Sequence, residues 1–162
     1  MRRTPLTSTV AVAGLVLSAF ASPASGQDAA GYATISARQF VSGSAHVTVS
    51  GSVEIDQEVP INAQASIADG EYAWLQFGDS GSEEPNALIT YGYGEVGVSI
   101  GRGKFVVTAG NLPGEEPQCS DTVEVTDALV SAHYTCAGIT SYDGATGEMG
   151  EVDIDIRFTA GS

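Results

Sequence analysis

Basic residues are what this chain has least of. Its 162 residues include 6 Lys and Arg against 20 Asp and Glu, a formal charge of −14 at pH 7. Two of the six, Arg2 and Arg3, stand at the very start. The rest of the chain therefore sets four basic side chains against 20 acidic ones and carries −16. A field of that sign repels nucleic-acid phosphates and anionic bilayers, which argues against both as partners. A solvated acidic surface is the plain reading, and cation binding or tolerance of high salt are the functional ones. Helical periodicity is missing too, because no window beyond the first residues carries an apolar stripe at helical spacing. The longest apolar run, Val10 to Ala21, is too short to span a bilayer, so no membrane span is expected. Internal repeats and low-complexity segments are absent.

The first residues offer an export signal. Arg2-Arg3 is a basic start, Val10–Ala21 an apolar centre, and the small residues Ala24 and Gly26 give a cleavage point before Gln27. Residues 1–26 are expected to be a cleaved signal peptide and residues 27–162 a single secreted domain, by the ordinary secretory route. No cysteine stands at the cleavage point, so no lipid anchor is expected. The expected location is secreted or periplasmic, an oxidising setting in which a disulfide persists. A mature chain of about 136 residues is one domain's worth and can bury a core.

From Gly31 onward the chain reads as strand after strand, with Gly, Asp, Asn and Ser between them. Tyr32–Ile35 opens. His46–Ile55 alternates, with Val47, Val49, Val53 and Ile55 on one face, and Val59, Ile61, Ala63, Ala65 and Ile67 repeat the pattern. Asp69-Gly70 is a hairpin signal, since Gly readily takes the positive φ of a type I′ turn. The return strand, Glu71–Phe77, holds the single tryptophan, Trp74. A polar loop from Gly78 to Asn86 leads to Ala87–Tyr91, Val96–Ile100 and Lys104–Thr108. Short strands with turn signals between them predict an antiparallel β-sandwich, Ig-like or jelly-roll-like, of about eight or nine strands.

The stretch from Cys119 to Phe158 is the most legible. If the chain turns at Asp127-Ala128, Cys119 faces Cys136 and the same register pairs Val125 with Val130, Val123 with Ala132 and Asp121 with Tyr134. The thiols then lie on a largely apolar face, at a non-hydrogen-bonded site where Cα atoms approach to about 4.5 Å, within disulfide range. The closing strand puts Val152, Ile154, Ile156 and Phe158 inward and Glu151, Asp153, Asp155 and Arg157 outward. A slip of one residue would bury Asp153 and Asp155 instead, which the cost of an unpaired buried carboxylate forbids.

Several motifs invite chemistry. Gly78-Asp79-Ser80-Gly81-Ser82 resembles part of the nucleophile motif of trypsin-like serine proteases, and Ser44-Ala45-His46 part of their histidine motif. The spacing from His46 to Ser80 is too short for that family, and the motif's closing glycine and proline are missing, so a turn-rich acidic loop is expected. Gly92-Tyr93-Gly94-Glu95-Val96-Gly97 spells GxGxxG, but a strand pattern follows it and not the helix that would hold a pyrophosphate. His46 and His133 lie far apart in sequence and read as surface residues, and bridged thiols are lost to zinc. Calcium fits better. Asp143 and Glu148 share one tight loop, and Asp153 and Asp155 project from the next strand, so these four carboxylates are the candidate metal set. The EF-hand pattern is absent. Tyr72 and Trp74 share a face, where burial as core is the expectation. Exposed, they would be a platform for a sugar ring or a peptide.

The layout of glycine-rich strands, one cysteine pair and a closing alternating strand loosely resembles secreted bacterial antigen domains of the mycobacterial lipoprotein kind. That family's lipobox cysteine is missing here and its cysteine pair is placed differently, so no residue role is carried across. The expectation for function is an exported, non-enzymatic acidic β-domain with a binding or structural role toward envelope proteins or glycans, needing no cofactor. One alternative is a calcium-stabilised or carbohydrate-binding module. Another is a small carboxylate-dependent hydrolase using, for example, Glu83 and Glu84, whose side chains would point apart on a strand.

Overall fold

A computed structural model describes residues 36–162 apart from 71, 93–94 and 112–116. The expected signal peptide and the expected first strand, Tyr32–Ile35, lie outside the described residues. Among the described residues there are eleven strands and no helix. They are β1 (Arg38–Gln39), β2 (Ser42–Gly51), β3 (Ile55–Pro60), β4 (Ile67–Ala68), β5 (Tyr72–Phe77) and β6 (Asn86–Gly92). After these come β7 (Glu95–Arg102), β8 (Phe105–Asn111), β9 (Cys119–Val125), β10 (Leu129–Asp143) and β11 (Glu148–Gly161). All belong to one antiparallel sheet in the order β1-β4-β5-β6-β7-β8-β10-β11-β2-β3, with β9 added on β10.

Period-two sequence dictates this arrangement. In β11, Val152, Ile154, Ile156 and Phe158 are buried while Glu151, Asp153 and Arg157 are exposed, as the alternation predicts. Each such burial is worth about 1.5–3 kcal/mol. A sheet with one apolar face must fold that face onto something, and this one curls onto itself. Beyond β3, Ile61 bridges to Phe77 of β5, and next to β1, Val41 donates to Gly161 of β11 at 2.8 Å. The curl has two walls, the first of β4 to β8 and the second of β9, β10, β11, β2 and β3. The far end of β10 joins them by pairing Ser141–Asp143 with Phe105–Val107. Between the walls lies one continuous core, in which the ring of Phe158 packs 5.5 Å from Phe77 and 6.2 Å from Tyr134.

The cysteine hairpin has the expected register, with Cys119 opposite Cys136 and Val125 opposite Val130. The disulfide is formed across Cα atoms 4.2 Å apart. Thr126 closes the turn, its N–H donating to the Leu129 carbonyl at 2.8 Å and its hydroxyl accepting from Leu129 N–H at 3.0 Å. Side chains bridge the gap between β8 and β9, where Gly110 N–H donates to Gln118 Oε1 at 3.4 Å. Asn111 donates to the Cys119 carbonyl at 2.8 Å and accepts from its N–H at 2.9 Å, copying a strand neighbour.

Two expectations are corrected. His46–Ile55 is not one strand, because the chain turns at Gly51 (φ 122°) and resumes as β3 at Ile55. The run Val59–Ile67 does not stay in one register either. Asn62 accepts from Gln64 N–H through its side chain and from Ala65 N–H through its carbonyl, which folds a turn into the run. Parity flips there, so Ala65 and Ile67 are exposed while Ser66 and Ala68 are buried. Ser66 is tolerated because its hydroxyl donates to the Gln76 carbonyl at 3.1 Å and accepts from Gln76 N–H at 2.9 Å. A bulge in β10 was also invisible in the pattern. The register shifts between Cys136 and Ile139, where Gly138 takes φ 66°, a value that suits glycine.

Candidate functional site: the outer faces of the two walls

The outer face of the second wall is charged. Cross-strand register sets His133, Arg157, His46 and Glu58 in one row and Thr135, Asp155, Thr48 and Asp56 in the next. His46 lies between two carboxylates, its Nε2 2.8 Å from Asp56 and its Nδ1 3.5 Å from Glu58. Ser44 donates to the same Glu58 carboxylate. His133 Nε2 lies 3.0 Å from Asp155, whose other oxygen is 3.4 Å from Arg157 Nε. The two histidines, distant in sequence, thus flank a single arginine. Opposite ring nitrogens of His46 take the two acids, so these groups do not converge on a point as metal ligands must.

A groove of about 320 Å³ opens beside the β10 bulge, lined by Thr48, Ser50, Thr135, Ala137, Asp153 and Asp155. Its acids are engaged. Asp153 accepts from Gly138 N–H at 2.9 Å, and Asp155 serves His133 and Arg157.

The four carboxylates of the candidate calcium set fall in two places. Asp143 and Glu148 pair across the β10–β11 turn, where Asp143 accepts from Ala145 N–H at 2.7 Å. Asp153 lies five residues further along β11, about 16 Å at the usual strand rise. Among the described residues no group of three or more His, Cys, Asp or Glu side chains is placed to hold a metal ion. Glu83, Glu84 and Ser80 are exposed in the loop between β5 and β6. Gly92 pairs with Glu95, so the GxGxxG letters fall on two strands of a hairpin.

The first wall differs. Strands β5, β6, β7 and β8 contain only Glu95 and Arg102 as charged residues, both at the ends of β7. The two central outward rows are Trp74–Thr90–Gly97–Gly110 and Gln76–Leu88–Ser99–Thr108, flanked by Tyr72–Gly92–Glu95 on one side and Asn86–Gly101–Val106 on the other. Trp74 was expected in the core, but its side of β5 faces outward and it is 41% exposed. Its ring stacks on Tyr72, with centroids 5.5 Å apart and planes at 25°, and Ile67 beside it is 44% exposed. Alternation could have revealed this, since Ala73, Leu75 and Phe77 fill the inner face of the same strand.

A carboxyl and a phenol meet on the inner face. Asp121 on β9 opposes Tyr134 on β10. Burial pushes the Asp121 carboxyl above its ordinary value. Burial, then the charge of Asp121, then Tyr91, push the Tyr134 hydroxyl far up.

No protein-family model, curated protein or solved structure matches this chain. Among the described residues no helix is long and apolar enough to cross a membrane.

Proposed function

We propose that this chain is a non-enzymatic binding domain of the extracytoplasmic space, and that its contact surface is the outer face of the first wall. In this reading the curl works as a two-layered sandwich, a rigid support that holds one layer's outer face toward a ligand. One observation carries the proposal: in a chain of charge −14, the tryptophan stands exposed, stacked on a half-buried tyrosine, on a face with no charged side chain between strand ends. Solubility alone favours charge at such positions, and exposed aromatic area beside polar groups marks contact sites. The disulfide supports the location, because disulfides persist in oxidising compartments. The charged second wall serves as the solvated back of the domain.

Trp74 is the single tryptophan, so its emission reports on this wall directly. Ligands that raise the melting temperature of the domain should also shift that emission. A stabilising ligand that leaves the emission unchanged while shifting backbone signals of β2 and β11 would place the contact surface on the other wall.

A further inference from the structure

We infer that the ligand of this wall is an uncharged linear glycan, laid across strands β5 to β8 with about one sugar ring per strand. The inference rests on the contact surface just proposed. Along the first outward row the surface falls from the standing Trp74 ring to Thr90, whose hydroxyl lies over Gly97, and then to the half-buried backbone of Gly97 and Gly110. The low floor is built in. A Cβ at Gly97 would meet Thr90 Oγ1 at 2.6 Å, and one at Gly110 would meet the Val96 carbonyl at 2.7 Å. An aromatic wall at one end of a shallow floor matches a sugar chain, whose rings offer C–H faces to an aromatic and hydroxyls to the sides.

The second row supplies partners for those hydroxyls. Thr108 donates to Ser99 Oγ at 3.2 Å, which leaves the Ser99 hydroxyl proton to bond outward. Thr90 donates to the Gly97 carbonyl at 3.5 Å and keeps its own lone pairs for an incoming donor. Both sites can serve a ligand group that donates and accepts, as a sugar hydroxyl does.

Charge and geometry exclude the competitors. A carboxylated or sulfated glycan finds no cation within these rows and meets the repulsion of a −14 chain. A polyamine finds no carboxylate there. An extended peptide is recognised by backbone pairing at a strand edge, whereas this surface is a sheet face. From β5 to β8 is three strand spacings, about 14 Å, which sets the length of chain the site can read at about three to four rings.

The test is a titration of the full chain with neutral β-linked gluco-oligosaccharides of two to six units. A galacturonate oligomer and a glucosamine oligomer of equal length are run beside them, with Trp74 emission and calorimetry as readouts. Affinity should rise about tenfold (1.4 kcal/mol) from the dimer to the tetramer and stay level beyond it. The galacturonate oligomer should not bind. Thr108→Glu, at an exposed position, should weaken the tetramer about tenfold and leave the dimer unchanged. Affinity that ignores length, or equal binding of the anionic oligomer, overturns the inference. So does a non-glycan ligand that shifts Trp74 emission when no glycan does, although the contact surface itself then stands. If Trp74→Ala and Thr108→Glu alter the binding of no stabilising ligand, the contact surface falls as well.

Discussion

The two walls of the curl share one rule inside and follow opposite rules outside. Inward, both alternate small and branched apolar residues, from Ala73, Leu75 and Phe77 in the first to Ile154, Ile156 and Phe158 in the second. Outward, the second wall presents His46, Asp56, Glu58, His133, Asp153, Asp155 and Arg157, these four acids each lying against a neighbour, together with the exposed Glu124 and Glu151. The first presents Trp74, Tyr72, hydroxyls and glycine. Burial fixes the inner pattern of any such sheet, so it says nothing of function. The outer pattern is free, and a face left uncharged in so acidic a chain is the informative departure.

The comparison can be broken first on stability. Ile156→Ala in the second wall and Leu75→Ala in the first should each cost about 2–5 kcal/mol, because both leave a cavity in one shared core. Trp74→Ala should stay within about 0.5 kcal/mol, as exposed positions do. Denaturant melts check all three. A Trp74→Ala loss as large as that of Ile156→Ala would make the aromatic pair part of the scaffold and remove it from the proposed site.

The disulfide sharpens the contrast next, since it lies wholly in the second wall, closing residues 17 apart in sequence. Replacing both cysteines by serine should lower stability by about 3 kcal/mol and leave ligand binding at Trp74 unaltered. Mass spectrometry of unreduced, alkylated protein should find no free thiol. Two free thiols would contradict the pairing.

Smaller effects follow from the inward ionisable pair. Asp121 has a raised folded-state value, so its ionisation favours the unfolded chain. The stability it contributes is complete below its ordinary value of 3.8 and is lost as pH rises through the raised one. Asp121→Asn should therefore raise the melting temperature at pH 7 and not at pH 3. Tyr134 acts in the same sense further up the scale. Its folded hydroxyl is held neutral, so stability should fall as pH climbs above 10.0, where the unfolded chain ionises. A Tyr134→Phe variant should flatten that alkaline limb.

The smallest expected effect is that of salt. Asp155 and Arg157 are 37% and 67% exposed, and such pairs contribute about 0–1 kcal/mol. Screening should relieve the net repulsion more than it weakens them, so sodium chloride should raise the denaturation midpoint above that in matched sucrose. An unchanged midpoint would mean that the acids of the second wall are already locally balanced.

Much of this fold was legible because strict alternation and two cysteines constrain register. The pairing of Cys119 with Cys136 and the inward set of β11 both follow from period two. The pattern failed where backbone geometry intervened. Asn62 turned a run of alternating residues and reversed which of Ile67 and Ala68 is buried, and Gly138 inserted a bulge that no side-chain pattern marks. Trp74 was misplaced because tryptophan is usually buried, and that prior outweighed the parity of its own strand. The histidine row was hidden for another reason. Only the strand order brings β10, β11 and β2 side by side, and sequence spacing does not reveal it.

Backbone chemical-shift mapping tests the central claim most directly. The protein, labelled with nitrogen-15, would be titrated with a neutral β-linked gluco-hexaose. The account predicts saturable shifts at Trp74, Thr90, Gly97, Ser99 and Thr108, with His46, Asp155 and Arg157 unmoved. Shifts gathered instead on the second wall, beside His46 and Asp155, would contradict it.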